Sequence, residues 1–128
     1  MRLASLLFCL ATVGFAETWS GYLVDSRCYT RDQINTSRDG ETTVSRDMRL
    51  TMSRCAPTDR TTHFAIVAND WSSFRLDEAG NERAAAIVSK NGKSKLYCVT
   101  VAGSRISHHK IATKSMAIAS VQRVPYRK

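Results

Sequence analysis

Residues 26–60 pose a problem for any fold: they are rich in Ser, Thr, Arg and Asp, carry few apolar anchors, and hold Cys28 and Cys55 toward their two ends. A segment that buries so little apolar surface cannot offset the entropy of ordering its own backbone. A covalent tie is the remedy small exported domains use, so Cys28 paired with Cys55 is the preferred connectivity.

A disulfide needs an oxidising compartment, and the N-terminus supplies a route to one. Met1-Arg2 gives a positive start, residues 3–13 are an apolar run broken by Ser5 and Thr12, and Gly14-Phe15-Ala16 offers small residues to a signal peptidase. These are the three parts of a Sec-type signal peptide. The expectation is a leader at residues 1–16 and one mature β-rich domain at 17–128, secreted into the periplasm or outside the cell. The apolar run is shorter than the roughly 20 residues of a membrane-crossing helix, and the rest of the sequence contains nothing closer to that length. Cys9 sits behind Phe8, where lipid attachment would want a small residue, so no lipid anchor is expected. Removing the leader takes Cys9 and leaves three cysteines: Cys28, Cys55 and Cys98. With one pair closed, Cys98 stays free or bridges to a partner.

The chain is basic, with a formal charge of +8. Arg2 is the sole charged residue of the leader, so the mature domain keeps +7. The cations are scattered and, through residues 27–60, interleaved with aspartates, the pattern of a solvated surface rather than a nucleic-acid site. Protein, glycan or envelope polyanion partners fit an exported basic domain; nucleic acid does not.

Strand patterns recur along the chain. Residues 18–25 (T-W-S-G-Y-L-V-D) read as a first strand in which Gly21 marks a bend or a close backbone approach. Residues 62–68 (T-H-F-A-I-V-A) and 72–77 (S-S-F-R-L-D) flank Asn69-Asp70 as a hairpin. Residues 95–103 (K-L-Y-C-V-T-V-A-G) alternate strongly, and Ile106 with the residues up to Lys110 extends that strand or forms a second edge. Residues 115–124 close the domain, with Met116, Ile118 and Val121 turned inward and their phase slip marking a bulge. Two helices are expected: residues 78–90, entered at Asp77-Glu78 and ending before Asn91-Gly92, and a short one within 43–54, where Val44, Met48 and Met52 recur every four residues. Residues 125–128 read as a frayed tail.

Five strands with a helix between the third and fourth is the order of a small barrel of the oligonucleotide/oligosaccharide-binding (OB) type. An α+β sandwich is the alternative.

The run Gly21-Tyr22-Leu23-Val24-Asp25-Ser26-Arg27-Cys28 resembles the opening of a set of small exported bacterial proteins of uncharacterised function. They begin with Gly, an aromatic, an apolar pair, Asp, Ser and Cys, and end with a V-x-V-x-G strand and a final I-x-V-like strand. Val99-Thr100-Val101-Ala102-Gly103 and Ile118-Ala119-Ser120-Val121 hold the corresponding places. The resemblance implies a barrel-like fold and no particular reaction.

Side chains that could carry chemistry are few. No C-x-x-C occurs, so thioredoxin-type redox sites and the usual structural zinc spacings find no support. His63, Cys98 and His109 are the candidate metal ligands, since imidazole and thiolate suit borderline metals; His108 and His109 would point to opposite faces of a strand. Trp19, Tyr22, Trp71 and Phe74 are the candidate aromatic ligand face. No spacing marks a Ser-His-Asp triad, and no catalytic residue or cofactor is expected. The leading expectation is an exported non-enzymatic binding or interaction domain; the alternative is a small envelope metal or redox protein, or an enzyme, using Cys98 and histidines.

Overall fold

A computed structural model of the chain describes residues 16–38, 48–93 and 95–124. The expected signal peptide, apart from Ala16, and the expected frayed tail lie outside the described residues. The elements run β1 (Glu17–Asp25), α1 (Ser26–Arg38), α2 (Met48–Ser53), β2 (Phe64–Val67), β3 (Ser73–Leu76), α3 (Glu78–Asn91), β4 (Lys95–Ser107) and β5 (Lys110–Arg123). The five strands close into a barrel in the order β1-β2-β3-β5-β4. All neighbours are antiparallel except β3 and β5, which run parallel. This is the expected OB-type order, with α3 between the third and fourth strands.

Alternation sorts the strand residues onto two surfaces. Leu23, Phe64, Ile66, Tyr97, Val99, Val101 and Ile111 fill the barrel, and Ala84 and Val88 of α3 join them. Their neighbours Val24, Ala65, Val67 and Leu96 point outward, where Tyr29, Met52 and Cys55 cover them. The β1–β2 wall is therefore buried on both sides, and Tyr29, Met52 and Cys55, from residues 26–38 and 48–60, cover its outer side.

That cover holds more helix than the sequence pattern suggests. Residues 26–38 form a helix where a loop is expected, because the Asp25 carboxylate accepts hydrogen bonds from the Arg27 and Cys28 N–H groups at 3.0 and 3.1 Å and starts the first turn. The short second helix occupies residues 48–53; residues 43–47, where it was also expected, lie outside the described residues. Cys28 and Cys55 are disulfide-bonded, with Cα atoms 5.5 Å apart. The bond joins α1 to the segment after α2, and Asp25 N–H donates to the Cys55 carbonyl at 2.9 Å.

Two further expectations hold in detail. A Cβ at Gly21 would lie 2.5 Å from the Val67 carbonyl oxygen, so the close approach read from the sequence is real. Register shifts in the β4–β5 ladder include one between Cys98 and Val99, whose partners are Ser120 and Ile118, so Ala119 is the bulged residue.

Candidate functional site

The two longer helices start side by side at one end of the barrel, each held by an aspartate. Asp25 caps α1, and its other carboxylate oxygen accepts from the Thr61 hydroxyl at 3.0 Å. Asp77 caps α3 with a single oxygen that accepts from the Gly80 and Thr113 N–H groups, both at 3.0 Å. Burial would raise the Asp77 pKa, but these hydrogen bonds to its ionised form outweigh it and hold the carboxyl below its usual value. Asn81 of α3 accepts from Phe64 N–H at 2.9 Å, and Ser26 N–H donates to the His63 carbonyl at 2.9 Å. The start of β2 is thereby tied to both helices.

Between the helices lies a cleft of about 930 Å³. Its α1 wall carries Arg27, Thr30 and Arg31, which helical spacing places on one face. Its α3 wall carries Glu78, Asn81 and Glu82, and Phe64 and Leu76 contribute apolar surface. Arg75 of β3 and Lys110 of β5 line the same cleft. They are direct partners in the parallel β3–β5 pair, flanked by Leu76 and Ile111, both of which turn into the barrel. Two cations set opposite each other on neighbouring strands repel. None of Arg27, Arg31, Arg75 and Lys110 makes an ion pair among the described residues; the Arg54–Asp32 contact of 3.9 Å involves none of them.

The candidate aromatic face is not one surface. Trp19 and Phe74 pack on the barrel interior, their ring centroids 6.0 Å apart, while Tyr22 and Trp71 join the outer cluster. The physical reason is strand alternation: Trp19 and Tyr22 are an odd number of residues apart on β1. Arg105 places its guanidinium 5.4 Å from the Phe74 ring centroid, a cation–π contact rather than an open platform.

The candidate metal ligands are also dispersed. His63 lines the cleft. Cys98 is a free, half-buried thiol midway along β4, with Tyr22 and Ser120 as strand partners. His108 and His109 are not on a strand; they form the turn between β4 and β5, with rings 6.2 Å apart. At about 3.3 Å per strand residue, the run from Cys98 to that turn is on the order of 30 Å of chain. Among the described residues no group of three or more His, Cys, Asp or Glu side chains is placed to hold a metal ion.

Reading by residue type missed Arg27, Arg31, Arg75 and Lys110. Arg27 and Arg31 become a pair once Asp25 is recognised as a helix cap, but nothing local joins them to β3 and β5. No protein-family model, curated protein or solved structure matches the chain. Among the described residues, no helix is long and apolar enough to cross a membrane.

Proposed function

We propose that the chain is an exported, non-catalytic binding domain whose cleft between α1 and α3 takes the anionic groups of a protein, glycan or envelope polymer. The observation that carries this reading is the in-register pair Arg75 and Lys110, opening on the cleft beside Arg27 and Arg31 with no anionic partner among the described residues. Holding like charges together raises the free energy of the empty site, and an anion between them relieves it. Glu78 and Glu82 on the opposite wall would set the orientation of a ligand by repelling its anionic end.

Export is supported by the leader pattern of residues 1–16 and by the Cys28–Cys55 disulfide, which belongs to an oxidising compartment. The reading includes kinship with the small exported proteins that the opening motif resembles. Three fixed positions of that motif have structural roles, since Gly21 admits the Val67 backbone, Asp25 caps α1 and Cys28 pins the cover.

The test is titration of the mature protein with two probes, short polyglutamate and short-chain polyphosphate. Binding of either should weaken at least about tenfold in Arg75→Ala/Lys110→Ala and be unchanged in Lys93→Ala, outside the cleft. Equal binding by the three proteins, or none by the unaltered one, overturns the reading.

A further inference from the structure

We propose that the outer edge of β5, over residues 114–123, is a docking site that receives an extended segment of another protein as a sixth strand, one that alternates apolar and acidic side chains. It is a surface separate from the cleft and rests on different observations.

β4 pairs with β5 from Lys110 to Arg123, but β3 pairs with it at Lys110 and Ile111 alone. The next groups on that edge are satisfied by the α3 start: Asp77 N–H donates to the Ile111 carbonyl at 3.1 Å, and the Asp77 carboxylate accepts from Thr113 N–H. Beyond Thr113, no strand or backbone hydrogen bond occupies this edge among the described residues. Ala117, Ile118 and Ala119 are exposed in succession along this edge.

The face of the strand points the same way. Met116, Ile118 and Val121 pair with Val101, Val99 and Tyr97, three fully buried residues of the barrel interior. The inward row of β5 thus continues the core, yet Ile118 and Val121 are each 39% exposed. What is missing is a neighbouring strand to shield them. Native edges are usually blunted by charge, proline or a bulge; residues 115–122 (S-M-A-I-A-S-V-Q) have neither charge nor proline, and the bulge at Ala119 is their one such device. The bulge at Ala119 divides the edge into two short regular runs, each able to exchange main-chain hydrogen bonds with an added strand.

Charge selects the occupant. Lys114 and Arg123 are exposed at the two ends of the edge. A second copy of the mature domain would bring Lys114, Arg123 and a net charge of +7 against the same charges. An acidic, alternating segment meets both the apolar row and the basic ends.

Two synthetic ten-residue peptides test this, one alternating Val and Glu, the other Val and Lys, each added to the isotope-labelled protein while amide hydrogen exchange is followed. The Val/Glu peptide should slow exchange across residues 114–123 by at least about tenfold, leave α1 unaffected, and outcompete Val/Lys. Ile118→Lys should abolish that protection. Arg123→Glu, at an exposed position, provides the second arm: it should weaken Val/Glu and strengthen Val/Lys. Absence of protection by either peptide, equal protection by both, or concentration-dependent protection of the protein alone would overturn the proposal, the last by showing that a second copy fills the edge.

Discussion

Replacing both members of the cystine, as Cys28→Ala/Cys55→Ala, tests how the outer layer of the domain is held. The bond spans a sequence separation of 27. Cross-linking a loop of that length removes about 12 cal/mol/K of denatured-state entropy, or about 3.5 kcal/mol at room temperature. Cys55 is also buried in the outer cluster, and trimming its sulfur removes further packing, on the order of 1 kcal/mol. The expected loss is therefore about 4.5 kcal/mol, a large share of the roughly 5–15 kcal/mol of a typical domain. The two tryptophans allow the loss to be located, since Trp71 packs in the outer cluster and Trp19 against the barrel interior. Urea unfolding followed by fluorescence in Trp19→Phe and Trp71→Phe backgrounds should show one coincident transition with the bond intact. Without it, the Trp71 signal should move to lower urea ahead of the Trp19 signal. A loss below about 1 kcal/mol, with both signals still coincident, would refute the view that the cystine replaces a missing apolar anchor.

Other substitutions probe single contacts. Tyr97, fully buried, donates its hydroxyl to the Gly92 carbonyl, and Tyr97→Phe should cost about 1–2 kcal/mol in thermal melts. Burial raises the Tyr97 pKa, so the folded state keeps a proton that the unfolded chain releases near pH 10; stability should fall as pH rises above that value, and less steeply in Tyr97→Phe. The lowered Asp77 pKa has the opposite sign: its contribution is present above about pH 4 and fades as pH falls through the folded value. Asp77→Asn should therefore differ from the unaltered protein at pH 7 by more than at pH 2, by denaturant titration at both. Gly21→Ala should cost on the order of 1–3 kcal/mol in the same assay, because the added methyl meets the Val67 backbone.

How far the fold can be read from the residues depends on how local the cause is. Alternation marks β3 and β4, since a half-buried strand writes its period into its own sequence, while β2, buried on both faces, is legible as a short continuous apolar run. The α3 boundaries are legible for the same reason, through Asp77 before the helix and Gly92 after it. α1 escapes because its sequence, S-R-C-Y-T-R-D-Q-I-N-T-S-R, lacks an apolar stripe. Tyr29 and the cystine secure it, and a cystine leaves no periodic signal. The dispersed aromatic quartet could have been foreseen for Trp19 and Tyr22, whose odd spacing on one strand sends them to opposite faces. The cleft could not, because Arg27, Arg75 and Lys110 are neighbours only once β3 and β5 pair in parallel and α1 turns at Asp25.

Where such a barrel can recognise anything follows from which surfaces its two clusters consume. Leu23 with Val24, Phe64 with Ala65 and Ile66 with Val67 are consecutive residues buried on opposite sides of one wall. The outer side of β1 and β2 is therefore taken by the cystine-pinned cover, and their inner side by the barrel core. α3 adds Ala84 and Val88 to that core and is anchored at its start by Gly80, buried against Leu76 and Thr113. Among the described residues, the cleft beside the capped helix starts and the β5 edge past Thr113 leave polar groups and apolar surface unmatched. The cations gathered at the first and the bare Ile118 and Val121 at the second are residues that neither cluster needs for stability. Removing them should change binding far more than it changes folding, whereas the same substitutions at Val24 or Val99 should do the reverse.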